Sequence, residues 1–209
     1  MSKKILYFLT GSFFFFIFVV FSYLVQKQIF VHFDFNTTVR LQNHISRRFD
    51  APFSFLSLVG SIEVTGIFLI IFLIIRRKIL SGLVTIFLFG IIHIFELYGK
   101  TFVKHPGPPF GFLRYDLGFN FPSAYIQPGS SYPSGHAARA FFVTTIIGVL
   151  ALSSHRLTKN NKMFIVIALA CYDIMMCVSR VYLAEHWTTD IIGGSFSGIG
   201  LALMAGIVL

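Results

Sequence analysis

Residues 5–25 read ILYFLTGSFFFFIFVVFSYLV, a run with no formally charged side chain. As an α-helix it rises roughly 30 Å, the thickness of a bilayer's hydrocarbon core. Inside lipid a backbone amide finds no water to bond, so only helices and closed barrels are tolerated there. The run lacks the two-residue alternation of a barrel strand, which leaves the helix. Ser2, Lys3 and Lys4 precede it, a start that also suits a secretory leader. The apolar stretch is long for a leader, however, and its end, Phe21-Ser22-Tyr23-Leu24-Val25-Gln26, offers no small-x-small cleavage site. It is read as a retained membrane helix.

Five more runs of this kind follow, at 53–75, 79–98, 134–152, 163–182 and 188–208. Each is close to the roughly 20 residues that a spanning helix needs. The expected fold class is all-α: a polytopic membrane protein with six transmembrane helices, in a single membrane-embedded domain over 1–209. Residues 26–50 are mixed in character. Leu41, Ile45 and Phe49 recur there every four positions while Arg40, Arg47 and Arg48 supply charge. That pattern predicts an interfacial helix after the first span. A loop rich in Gly, Pro and aromatic residues runs over 104–132, with Pro106-Gly107-Pro108-Pro109 near its start.

Composition agrees. Of 209 residues, 56% are hydrophobic and only 12% charged, against roughly a quarter charged in soluble domains. A net charge of +9 would suit nucleic acid, but the cations sit between apolar runs, as in Arg76-Arg77-Lys78 and at Arg156, Lys159 and Lys162. Such loops flank membrane helices and face anionic headgroups, so the partner read here is the bilayer and no nucleic acid is expected. Cys171 and Cys177 are six apart in one predicted helix, off a common face, which argues against a disulfide. An even number of spans puts both termini on one side, and the dense basic clusters on that side predict a cytoplasmic N-terminus. The setting is then the plasma (inner) membrane, with the opposite face extracytoplasmic.

The polar residues gather at that opposite face. Lys100 and Lys104 end the third span; Ser134, Gly135 and His136 open the fourth; Ser179 and Arg180 end the fifth; His186 and Asp190 open the sixth. A lone lysine at a helix end is usually a snorkelling anchor. Two histidines, an aspartate and several cations on one face instead point to an anion site with acid–base chemistry. Pro133-Ser134-Gly135-His136 opens a helix, whose free N–H groups bind phosphate, and Gly135 lets the anion approach the backbone. Arg180 offers a planar fork and Lys100 a point charge. Asp190 lies four residues after His186, on one face if the last helix begins near His186. It can hold one imidazole nitrogen as N–H and leave the other to attack phosphorus. His136 is then placed to protonate the leaving alkoxide.

These residues closely resemble the type 2 phosphatidic acid phosphatase family, membrane lipid phosphatases related to vanadium haloperoxidases. Its marks are Lys-x6-Arg-Pro, then Pro-Ser-Gly-His, then Ser-Arg-x5-His-x3-Asp. The second stands intact at Pro133-Ser134-Gly135-His136, the third at Ser179-Arg180, His186 and Asp190, and the motif region spans 100–190. The resemblance implies His186 as nucleophile, Asp190 as its orienting partner and His136 as general acid. It implies Lys100, Ser134, Gly135 and Arg180 as phosphate ligands, with no metal and no cofactor. The first motif departs: counted from Lys100, Arg-Pro falls on Gly107-Pro108. Lys104, one turn beyond Lys100, and Arg139, one turn beyond His136, are the candidates to restore the lost charge.

The function implied is an integral membrane phosphatase acting on a lipid phosphomonoester or diphosphate through a phosphohistidine. Phosphatidic acid, phosphatidylglycerol phosphate and undecaprenyl diphosphate are substrates of this type. The alternatives are a phosphotransferase using the same phosphohistidine and a non-catalytic lipid-binding membrane protein. His136, His186 and Asp190 also match a two-His, one-carboxylate metal set, but Lys100 and Arg180 would repel a divalent ion. Glu96, four before Lys100, is read as its ion-pair partner, and Glu63 and Asp173 as structural partners for Arg139 or Arg180. The lipid species and the oligomeric state are left open.

Overall fold

The computed structural model describes residues 2–77, 79–119, 121 and 130–209. Among these the secondary structure is helical, in eight α-helices: α1 Lys3–Gln26, α2 Val31–His44, α3 Asp50–Val59, α4 Ile62–Arg76, α5 Ile79–Phe102, α6 Gly135–Ser153, α7 Lys159–Tyr182 and α8 Thr188–Ala205. Short 3-10 turns at Arg47–Phe49 and Phe110–Phe112 complete the list. Hydroxyl caps set the starts of several helices. The side chains of Ser2, Ser61, Ser134 and Thr158 accept backbone N–H groups from the first turns of α1, α4, α6 and α7.

Four helices, α1, α5, α6 and α7, are long and apolar enough to cross a bilayer. The second predicted span is broken. The stretch Arg47–Val59 meets Ile62–Arg76 at 51°, and counting that bent pair as one span gives five. The break falls at Gly60-Ser61, where the Ser61 hydroxyl takes the Val64 N–H (3.3 Å) and starts a new helix. The expected count of six is therefore not reached on length and apolarity. The missing one is α8, whose 18 residues include four glycines and two serines.

Those same residues put α8 at the centre. It packs between α1 and α6, with α5 alongside. A Cβ on Gly198 would overlap the Ala138 carbonyl of α6, and one on Gly194 the Ser134 carbonyl. On the other flank a Cβ on Gly11 of α1 would lie 2.8 Å from the Gly200 carbonyl. Helices in lipid gain little from hydrophobic exclusion and associate through such close small-residue contacts. Leu69 and Leu73 of α4, Phe89 and Ile92 of α5, Phe142 and Ile146 of α6 and Leu201 of α8 form the main buried cluster. On α1, Phe8, Phe13 and Phe16 face outward, while Phe15, Phe18 and Phe21 turn inward toward Phe95, Tyr132 and Phe196.

The interfacial stretch is shorter than its four-residue spacing suggested. α2 ends at His44, Ile45 is extended, and Phe49 belongs to the 3-10 turn. α2 packs on the ends of α7 and α8, which carries it to the site.

Candidate active site

His186 precedes α8 instead of lying on it, so the expected shared helical face is not the basis of its pairing. Asp190, in the first turn, reaches back: its Oδ2 accepts the Trp187 N–H at 2.9 Å and lies 3.3 Å from His186 Nδ1. The turn from α7 holds the histidine in place. The Arg180 carbonyl accepts N–H groups from Glu185 (3.1 Å) and His186 (3.4 Å), around Ala184 at φ 55°. Both members of the pair are buried, Asp190 completely.

The start of α6 is tied to the start of α8. Ser134 donates its N–H to the Asp190 carbonyl (3.0 Å), while its hydroxyl accepts from Ala137 (3.4 Å). In that first turn, the His136 ring lies 6.4 Å, centroid to centroid, from that of His186. The free N–H groups of this helix start and the two imidazoles thus share one space.

The cations divide into two groups. At Gly135, the Glu96 carboxylate accepts from Lys100 Nζ (2.8 Å) and Arg139 Nη1 (3.0 Å), with His93 Nδ1 at 3.4 Å. Arg139 also donates from Nε to the Gly60 carbonyl at 3.2 Å. Arg180 is wholly buried. It donates to Ser57, to the Glu185 carboxylate and to the Phe53 carbonyl (3.2 Å). A guanidinium out of water needs such a set, because an unpaired buried charge costs several kcal/mol. The break at Gly60-Ser61 therefore serves the site, since Phe53 and Ser57 of α3 anchor Arg180 and the Gly60 carbonyl at the break anchors Arg139. Lys104 is exposed and lines, with Lys100, Gln28, His105 and Ser130, a cleft of ≈ 570 Å³.

The profile of the PAP2 superfamily matches residues 78–208, well over half of the chain and inclusive of every residue just placed except the α3 anchors and Gln28. The chain belongs to the PAP2 superfamily. A curated relative, phosphatidylglycerophosphatase B of Bacillus subtilis (strain 168), is 30% identical over 125 residues, 59% of this chain. The match spans 55% of that relative's length. Among solved structures, the transmembrane PAP2-type phosphatidylglycerolphosphate phosphatase from Bacillus subtilis superposes with a TM-score of 0.72 over 93% of this chain and 92% of its own, at 19% identity. LpxE of Aquifex aeolicus superposes at 0.62 over 83% and 94%, at 22% identity. These two likenesses concern the fold.

Within this PAP2 chain the structure brings His136, His186, Asp190, Ser134 and Gly135 together, with Lys100 beside them. The Lys100–Glu96 pair forms as the spacing predicts. One reading is corrected: Asp173 accepts from Thr144 (2.8 Å) and pairs with neither arginine. Arg180 pairs with Glu185 and Arg139 with Glu96, with the Glu63 charge also acting on Arg139.

Sequence reading also passed over Asp34 and His105. Asp34, on α2, is 1% exposed and accepts both the N–H (2.9 Å) and hydroxyl (2.7 Å) of Thr189. It thereby caps α8 from another helix. Burial pushes its carboxyl up from the usual value, against the pull of the Thr189 hydrogen bonds and of His105. The available signal was a carboxylate in an otherwise neutral turn of an amphipathic segment. Nothing local says that it belongs to α8. Trp187, beside His186, donates from Nε1 to the Pro106 carbonyl (2.8 Å), pinning the loop after α5.

Proposed function

We propose that the chain is a lipid phosphate phosphatase of the plasma (inner) membrane that works through a phosphohistidine on His186. The observation that carries this is the buried His186–Asp190 pair, with His136 facing it across the start of α6. Asp190 beside Nδ1 favours the tautomer with hydrogen on that nitrogen, which leaves the Nε2 lone pair as nucleophile. Nε2 attacks phosphorus in line, the bond to the lipid oxygen breaks, and His136 supplies the proton to the leaving alkoxide. In the second half His136 removes a proton from water, the hydroxide attacks phosphorus, and the P–N bond breaks to give phosphate and free His186. Ser134, Gly135, Lys100 and Arg180 hold the phosphoryl oxygens. No metal or other cofactor enters this sequence.

The substrate is a membrane lipid with a phosphate at headgroup level. Phosphatidylglycerol phosphate leads the candidates, supported by the relative just described, followed by phosphatidic acid and undecaprenyl diphosphate. Lys104 or Arg139 supplies the positive charge absent at Gly107; unchanged turnover and KM in both Lys104→Ala and Arg139→Ala would refute that. With α8 as the sixth span, the site lies on the extracytoplasmic face. Reporters fused after Lys159 and in the 107–132 loop test this, and a cytoplasmic signal from the loop would reverse it.

The deciding experiment is phosphate release by purified, detergent-solubilised protein from the three lipids, with chelator present and His186→Ala as control. Release by wild type alone supports the reading. No release by folded wild type from any of the three refutes it.

A further inference from the structure

The segment after Lys100 brings no guanidinium at position 107, but it does send one polar side chain inward. His105 is 4% exposed. Its Nε2 lies 3.2 Å from Thr189 Oγ1, 3.4 Å from Asp190 Oδ1 and 3.7 Å from Asp34 Oδ2. The hydrogen position follows from counting. Thr189 has one hydroxyl proton, which it gives to Asp34 Oδ2 at 2.7 Å. Toward His105 the hydroxyl offers only lone pairs, so Nε2 carries a hydrogen. That N–H sits among three oxygens drawn from α2 and α8.

Asp190 spends Oδ2 on the Trp187 N–H and on His186. Its Oδ1 is buried and makes no hydrogen bond of normal geometry among the described residues. A buried carboxylate oxygen without a donor is costly, and it leaves the carboxylate free to rotate away from His186. The His105 N–H, which meets the Thr189 hydroxyl, lies 3.4 Å from that oxygen, while His186 meets the other one. We propose that His105, backed by Asp34, is a positioning residue: it holds the Asp190 carboxylate in the orientation that sets the His186 tautomer. The proposal rests on the phosphohistidine reading above. Asp34, His105, Asp190 and His186 then form one line from the interfacial helix to the nucleophile, and the departure of the first motif has a structural counterpart in His105. Outer partners that orient metal-bound imidazoles matter by about 10–100-fold, and the same scale is expected for His105 acting through Asp190.

The charged and titratable groups facing His105 are Asp34 and Asp190, with the Tyr132 ring 6.4 Å away. Burial pushes the Tyr132 phenol above its ordinary range, so it adds no charge near neutrality. Wild type, His105→Ala, His105→Gln and Asp34→Asn are compared in detergent on phosphatidic acid, with melting curves and kcat and kcat/KM against pH. His105→Ala is expected to lose about 10–100-fold in kcat with KM little changed. Its acidic limb in kcat/KM moves to higher pH, because Asp190 without its outer donor holds the His186 proton more tightly. His105→Gln, which keeps an N–H donor, recovers part of the rate, and Asp34→Asn moves the limb the other way by removing a negative charge. Folded His105→Ala with wild-type kcat and an unmoved limb overturns the proposal. So do equal losses in both His105 variants with the limb unmoved, the mark of a merely structural role. If His105→Ala does not fold, His105→Gln decides by the same readouts. Wild type that releases no phosphate overturns the phosphohistidine reading itself, and this proposal with it.

Discussion

The Glu96 carboxylate of α5 lies against the Cα of Gly135 in the first turn of α6, so closely that any Cβ at 135 would overlap it. A helix N-terminus favours an anion, and Glu96 is the anion placed there, clasped by Lys100 and Arg139. A phosphoryl group seated by Ser134, Gly135 and Lys100 has to displace that carboxylate or share its cations.

Glu96→Gln therefore acts in two directions. Inorganic phosphate inhibits the variant several-fold more strongly than wild type, because Lys100 and the helix start are freed of a competing charge. Stability falls, because Arg139 stays buried without its carboxylate; breaking such a pair costs about 3–5 kcal/mol. Inhibition constants and melting temperatures in detergent check both. Weaker phosphate inhibition would mean that Glu96 helps to hold substrate.

Gly135→Ala is expected to reduce kcat by about 100-fold, the scale of an ångström-sized displacement in an active site. The added methyl either moves Glu96 or tilts the start of α6 away from His186. Circular dichroism should show the helices intact while turnover drops.

His136→Ala separates proton donation from attack. With a lipid phosphate, whose alkoxide is a poor leaving group, the loss is about 100- to 10,000-fold. With p-nitrophenyl phosphate, which needs little protonation, the loss is much smaller. Equal losses on both substrates would remove His136 from the role of general acid. Acid-labile ³²P trapped on wild type, and absent from His186→Ala, tests the other half of the assignment.

Gly198→Val probes the seam between α6 and α8. Its Cβ would meet the Ala138 carbonyl, a backbone atom that cannot swing aside. Overpacking of this kind costs about 1–3 kcal/mol, read as a lower melting temperature. Activity should fall further than stability, because the same two helices carry His136 and Asp190.

Stability near Asp34 carries a pH signature. Burial raises its folded-state pKa above the unfolded value, so its protonated form is the one that folding favours. The contribution is fully present below the unfolded value and is lost as pH rises through the raised one. Melting temperatures followed upward from about pH 4 should fall more for wild type than for Asp34→Asn. A wild-type slope equal to that of the variant would locate the pH dependence elsewhere.

Much of this was legible in the chain as written. Apolar runs of bilayer length dictate helices, because lipid leaves the backbone no other partner. The four-residue spacing of His186 and Asp190 keeps carboxylate and imidazole within reach, though Asp190 reaches back from the first turn of α8 and shares no helical face with the histidine. Pro133-Ser134-Gly135-His136 announces a helix start. These are local matters, settled by residues a turn or two apart. Other matters were decided only by tertiary packing. The central place of α8 comes from glycines whose value lies in what they touch on α1 and α6, and the same glycines dilute its apolar signal. The break at Gly60-Ser61 gains meaning because α3 anchors Arg180 and the Gly60 carbonyl anchors Arg139. Asp34 and His105 are separated from Asp190 by 156 and 85 positions, and no periodicity links them. A buried carboxylate needs donors on every side, and in a helical bundle those donors come from whichever helices the packing brings near.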